Sequence, residues 1–512
     1  METDRRIRRI AIVGGGLSGW LAAAALARKV GGHCSIHVVE APDVPVAGHG
    51  EATLSSFVEL LRFLGIEQND FVDKTQSTYS LGTKFLDWPA PGQSFWRPFG
   101  AFGALLERRP FYHFWHKARA AGLNPKIEFF STETAMAMAQ RFIFPTNSLG
   151  VAAQLRYGLH IDVAMAARYL RNVAERAGVI RLERKVVSVQ RREDGHVEQV
   201  GFEDGGSLRA DLFIDNTGPR AQLIGEALGV GFESWKHLLP VDRVVLAPTN
   251  LEDSRPPYTR IGAHAAGWQW RIPLQQVLSI GHVYSSAHQD DDAALEALKT
   301  AAATPLLADA RVAHIDAGRR EKFWDHNVVA LGHAAGCVEP LAATNLHHAA
   351  HVIFNLLDHF PDRQFDPANI ASYNAAIADD LERSRDFILL HYCAAPRDDS
   401  PFWQHFAALT LPRTVAQRIE QYRATGRIAS NETALFGDLD WFWVFEGAGI
   451  LPRDYDPLVD TIDFEQVKRL MVAVSQKVKA DVTAAPTHDS FFATANSRLA
   501  SARKAAAIAP SG

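Results

Sequence analysis

The feature that most constrains this chain lies in its second ten residues, where the apolar run Ala11-Ile12-Val13 breaks into Gly14-Gly15-Gly16-Leu17-Ser18-Gly19. Trp20 to Leu26 continues in Ala and Leu, which favour helix. Strand, glycine turn and helix in that order predict a dinucleotide-binding unit. Gly14 and Gly16 permit unusual backbone angles and a close approach of pyrophosphate to the main chain, and Gly19 lets the helix pack on the strand. The start of that helix, with Leu17 and Ser18, then offers free N–H groups and a positive dipole end to the phosphates. A second apolar run, Ile36-His37-Val38-Val39, ends in Glu40, about 20 residues past the motif, where an acid takes the ribose hydroxyls.

Over 512 residues the chain carries 53 basic and 58 acidic side chains, a net charge of -5, which gives no basic field for nucleic acid or an anionic membrane. Neither is an expected partner. No apolar run reaches the roughly 20 residues of a membrane helix. Arg5, Arg6, Arg8 and Arg9 ahead of an apolar stretch imitate a secretory signal, but cleavage there would remove the glycine turn, so that reading is rejected. Cys34, Cys337 and Cys393 are few, odd in number and far apart, which predicts reduced thiols and a cytoplasmic location.

Further along, Gly48-His49-Gly50-Glu51-Ala52-Thr53 reads as a loop capping a helix with periodic Phe57, Leu60, Leu61 and Leu64. In Leu81-Gly82-Thr83-Lys84-Phe85-Leu86 the residues alternate as in a strand, so Lys84 and Phe85 face opposite sides. A helix is predicted from His160 to Val179, then a strand over Lys185 to Val189 with hairpins at Asp194-Gly195 and Asp204-Gly205-Gly206. Ala210 to Ile214, before Asp215-Asn216-Thr217-Gly218, is a buried strand breaking at a Thr-Gly turn, and Val328 to Leu331, before Gly332, repeats the pattern. Three dispersed elements of this kind argue for one interleaved flavin-binding unit, and so for FAD as cofactor. In Gly267-Trp268-Gln269-Trp270-Arg271-Ile272-Pro273, Trp268, Trp270 and Ile272 share one face of a strand, an aromatic wall equally suited to a core or to covering a flavin.

Trp268-x-Trp270-x-Ile272-Pro273 together with the glycine turn resembles the flavin-dependent tryptophan halogenase family. The likeness runs through Gly50-Glu51-Ala52-Thr53, the Lys84 segment, Pro98-Phe99-Gly100, Asp211 to Gly218, Lys322-Phe323-Trp324, Gly336-Cys337-Val338-Glu339-Pro340-Leu341 and Tyr455-Asp456-Pro457-Leu458. It implies an α/β fold of the FAD-dependent monooxygenase and halogenase type. A Rossmann-type FAD unit with an interleaved substrate-side sheet would occupy 1–385, a helical part lining the substrate cavity 386–500, and a disordered tail 501–512. Gly14, Gly16, Leu17, Ser18, Gly19, Glu40, Glu51, Ala52, Thr53, Gly218, Trp268, Trp270, Gly332 and Leu341 would hold the flavin. Reduced FAD from a separate flavin reductase would meet oxygen to give a hydroperoxide. Chloride or bromide would convert this to hypohalous acid, and Lys84, at the position matching the family lysine, would aim the halogen at an electron-rich ring. The substrate would be an indole or phenol, free or bound to a carrier or peptide. A homodimer is one open state of association.

The departure matters as much. Where the family continues Glu-Ser-Thr-Gly, this chain reads Ala342-Ala343-Thr344-Asn345, so the carboxylate that partners the lysine is missing. Only Thr344 survives from the halide-binding end, with Asn345 beside it where a Gly or small residue would let main-chain N–H groups approach the halide. General acid–base help contributes about 10² to 10⁴ in rate, so another group compensates or the chemistry differs, and a monooxygenase or oxidase on the same scaffold is the alternative. His347 and His351 share a helix face. With no third ligand near them in sequence no metal is expected, and His347 is the candidate replacement base. Trp441 and Trp443 are candidates to sandwich the aromatic substrate.

Overall fold

In the computed structural model, residues 5–43, 50–145, 155–395, 397–429 and 434–492 are described. Gly48, His49 and the predicted tail 501–512 lie outside them. The strand Arg9–Val13 sits inside a six-stranded sheet, flanked by Ser35–Glu40 and Leu212–Asp215, with Ile180–Glu183 and Val328–Ala330 beyond and Trp324–Asp325 as an antiparallel edge. The other pairings are parallel. Ile10, Ile12, Val38, Phe213, Ile214, Val328 and Val329 are buried, the unbroken apolar runs of strands covered on both faces. The register sets Val13 against both Val39 and Asp215, and Asp215 against Ala330. Four strands therefore end level, and the residues that follow, Gly14, Glu40, Asn216 and Leu331, open one crevice at the carboxyl edge.

The helix Leu17–Val30 is apolar through its first half, and Leu17 and Gly19 to Leu26 are buried. It packs on the helices Val163–Arg176 and Asn345–Asp358. The helix predicted from His160 starts later. Gly158–Asp162 is a strand paired with Gly50–Ala52, and the Asp162 carboxylate accepts the N–H of Met165 at 2.8 Å, which caps the helix Val163–Arg176. The two predicted hairpins join Val186–Arg191, Val197–Phe202 and Ser207–Arg209.

A seven-stranded sheet lies across the first unit, in the order Arg311–His314, Arg243–Asn250, Val277–Tyr284, Gly267–Pro273, Thr259–His264, Gly82–Leu86 and Ser94–Pro98. Helices dominate the C-terminal part, at Pro401–Ala408, Arg413–Thr425, Asp438–Gly447 and Phe464–Ala484. The long helix Pro367–Ala394 runs unbroken through residues 385 and 386, and one apolar core joins Ile12, Phe213 and Trp268 to Phe387, Trp443 and Val474.

Candidate active site

Two adjoining cavities of 690 and 550 Å³ occupy the crevice and the space beneath the large sheet. The larger is lined by Gly14, Gly16, Leu17, Ser18, Glu40, Gly218 and Gly332. Only Gly14 of the first two motif glycines has an unusual backbone, at φ +112°. A Cβ there would lie 2.1 Å from the Asn216 carbonyl oxygen, and one on Gly19 2.1 Å from the Gly14 carbonyl oxygen. These two glycines let the turn, the helix and the strand end close on one another. Gly16 differs, because the nearest atom a Cβ there meets beyond its chain neighbours, among the described residues, is Asn216 Nδ2 at 3.7 Å, and the methyl would occupy the space at the helix N-terminus. Asn216, not singled out from the sequence, ties the turn down by donating its amide to the Gly14 carbonyl at 3.0 Å. Its position directly after the buried strand Leu212–Asp215 was the available signal.

Glu40 reaches the cavity from the second strand, held by Arg181 at 2.6 Å. The smaller cavity is lined by Ala52, Thr83, Ile261, Trp268, Trp270, Ile272 and Leu341. Trp268 and Trp270 form its aromatic wall, with ring centroids 5.9 Å apart. Gly281 on the neighbouring strand makes room, since a Cβ there would fall 2.2 Å from the Trp270 ring. Glu51, Val163, Pro219, His333 and Asn345 line both cavities. Burial pushes the Glu51 carboxyl up to about 7, with Asn345 pulling the other way, and burial lowers His333, so at neutral pH the imidazole is uncharged while Glu51 is midway through its titration.

Asn345 opens the helix Asn345–Asp358, and the residue before its cap, Ala343, is held at φ +60°. Thr344 makes no side-chain cap, and its buried hydroxyl has no partner among the described residues. Free N–H groups and a positive dipole end thus sit beside Asn345 at the cavity wall, an arrangement that takes an anion.

Several predicted residues lie elsewhere. Thr53 lines neither cavity; its hydroxyl accepts the Leu159 N–H at 2.9 Å and joins the strand pair. Thr83 faces the smaller cavity, so strand alternation turns Lys84 to the other side, where its ammonium lies 5.2 Å over the Trp96 ring and lines neither cavity. His347 also lines neither cavity. Its Nδ1 lies 3.1 Å from Ser56 Oγ and its Nε2 3.6 Å from Asp380 Oδ2. Trp441 packs on Phe387, and Trp443 on Phe102. Both are core rings away from either cavity.

The glycine cradle, the acid at the second strand end, the open N-terminus of the first helix and the indole wall across from it fit FAD spanning both cavities. Fold and site thus define a flavin-dependent oxidoreductase. The sequence profile described as tryptophan halogenase matches residues 9–464. The chain belongs to the tryptophan halogenase family. It is 28% identical to a tryptophan 6-halogenase of Streptomyces toxytricini, over 96% of this chain and 99% of the relative. It is 32% identical to a 7-chloro-L-tryptophan 6-halogenase of Kutzneria, over 80% and 84%. A flavin-dependent halogenase from Xanthomonas campestris superposes with a TM-score of 0.92 at 35% identity, covering 95% of this chain and 98% of that one. Among the described residues no helix is long and apolar enough to cross a membrane.

Proposed function

We propose that this chain halogenates an electron-rich aromatic compound of indole or phenol type, using FAD reduced by a separate flavin reductase, oxygen and chloride or bromide. The observation that carries the reading is the pair of cavities joined at Glu51 and Asn345, with an anion-accepting helix start at their common wall. When bound, reduced FAD supplies the activation of oxygen. The chain's own residues do the rest. Gly14 to Ser18 and Glu40 seat the dinucleotide, Trp268 and Trp270 wall off the smaller cavity, and Thr344 and Asn345 hold the halide. Oxidation of halide by two electrons yields hypohalous acid. At the substrate the halogen bonds to a ring carbon, the ring proton leaves, and the hydroxyl departs as water.

Lys84 lines neither of the two cavities fitted to FAD, and its ammonium lies 5.2 Å over the Trp96 ring, so a halogen species formed at the flavin would have to leave them to reach it. The base for the ring proton is not supplied by Ala342 or Ala343. That missing base favours a second reading, in which the same flavin site oxygenates or dehydrogenates its substrate without halide. Mass spectrometry of products from the protein with a flavin reductase, oxygen and a panel of indoles and phenols, with bromide, chloride or no halide, separates the two. Halogenated product supports the first reading, and turnover indifferent to halide replaces it with the second.

A further inference from the structure

Among the described residues, one group of metal-ligating side chains stands outside the chemistry above. His347 and His351 lie one turn apart on the helix Asn345–Asp358, with rings 5.9 Å apart, and Asp380 faces them from the helix Pro367–Ala394. One ligand atom from each falls within 4.8 Å of the other two. The third ligand that the local sequence lacks is therefore supplied by the next helix. The second observation is the state of the ring nitrogens. Nε2 of His347 and of His351 are buried and have no hydrogen-bond partner among the described residues, His347 Nε2 lying 3.6 Å from Asp380 Oδ2. Buried polar atoms left unpaired are costly, and two of them in one cluster of three ligand-bearing side chains call for a shared partner. The Ser56 hydroxyl, 3.1 Å from His347 Nδ1, can hold the proton of that ring on Nδ1 and leave the Nε2 lone pair free. His348 donates its Nδ1–H to Asp380 Oδ2 at 2.9 Å and orients the carboxylate. His348, His351 and Asp380 also line the larger cavity, which gives an ion its route in.

We propose that His347, His351 and Asp380 bind one divalent transition-metal ion of the zinc class in the wall of the dinucleotide cavity. Imidazole nitrogens with one carboxylate select zinc, cobalt or nickel over magnesium or calcium, which take oxygen ligands. Tetrahedral coordination at about 2.0–2.1 Å brings ligand atoms roughly 3.3 Å apart, so binding draws the three side chains together from their present separations.

The test is a zinc titration of tag-free, EDTA-treated full-length protein by calorimetry, with a parallel cobalt titration followed by visible d–d absorption. One zinc per chain is expected, with an intense tetrahedral cobalt spectrum. His351→Ala and Asp380→Asn should each weaken zinc binding at least tenfold, while His359→Ala, whose ring bonds to the Asn355 carbonyl and Ser372, should not. No stoichiometric zinc in the wild-type protein overturns the proposal, as does binding unchanged in both site variants. If a variant loses its folded circular dichroism, the wild-type cobalt spectrum decides: weak octahedral bands or none overturn it.

Discussion

Glu51 and Asn345 stand together on the wall shared by the two cavities, and burial raises the Glu51 carboxyl to about 7 while Asn345 pulls it down. Below this pH Glu51 is neutral beside the sites assigned to flavin and halide; above it a negative charge appears there. A carboxyl raised in the folded state contributes stability that is complete below its unfolded value of 4.5 and lost as pH rises through about 7. FAD and halide affinity should therefore fall as pH rises from 6 to 8, by about tenfold for one unit of electrostatic cost. Glu51→Gln should flatten that fall. Flavin fluorescence titrations across the range check it, and an unchanged slope in Glu51→Gln removes Glu51 as the cause.

Gly16 and Gly19 should fail differently. Gly16→Ala puts its methyl into the cavity, so the thermal midpoint should stay close to wild type while FAD affinity falls about tenfold or more. Gly19→Ala drives a methyl into the Gly14 carbonyl, so folding should suffer as well, by about 2 kcal/mol or more. Thermal unfolding in the absence of flavin, set beside flavin titration, distinguishes the two.

Lys84→Met removes an ammonium whose partner is the Trp96 ring, an interaction of about 0.5–1 kcal/mol at partly exposed sites. FAD affinity should remain within about twofold of wild type, an energy smaller than that contact, while halogenated product should be lost if the ammonium aims the halogen. Loss of product with flavin binding intact places the ammonium in the reaction, and unchanged product removes it.

Glu339 is fully buried against the Tyr392 hydroxyl and the Trp268 side chain, and burial pushes its carboxyl up to about 8. Its stabilising neutral form is complete below 4.5 and lost as pH climbs to about 8. The wild-type melting temperature should fall across this window more than that of Glu339→Gln, with a difference of roughly 2 °C or more between pH 5 and pH 8. Calorimetry at the two pH values tests this, and parallel curves would place Glu339 in its ionised form throughout.

Local chemistry carried much of this protein in its sequence. The glycine turn, the apolar strands around Ile12, Val38 and Ile214, and the hairpins at Gly195 and Gly205 depend on residues adjacent along the chain, so their physics is readable there. The same holds for the side-chain alternation that puts Trp268, Trp270 and Ile272 on one face. Register and packing between distant segments are set by whole-sheet burial, which no local pattern records. Strand alternation placed Lys84 and Thr83 on opposite faces, but only the neighbouring strands Thr259–His264 and Ser94–Pro98 decided which face looks into the cavity. Thr53 and Trp443 likewise carry the right chemistry for a site and are claimed by the core. Conversely, Asn216 closes on Gly14, and Asp380 on His347 and His351, because helices and strands far apart in the chain pack side by side. The sequence determined the parts and their local conformations; the tertiary structure decided which side chains share a cavity, because that depends on packing the apolar faces of the two sheets and the C-terminal helices into one core.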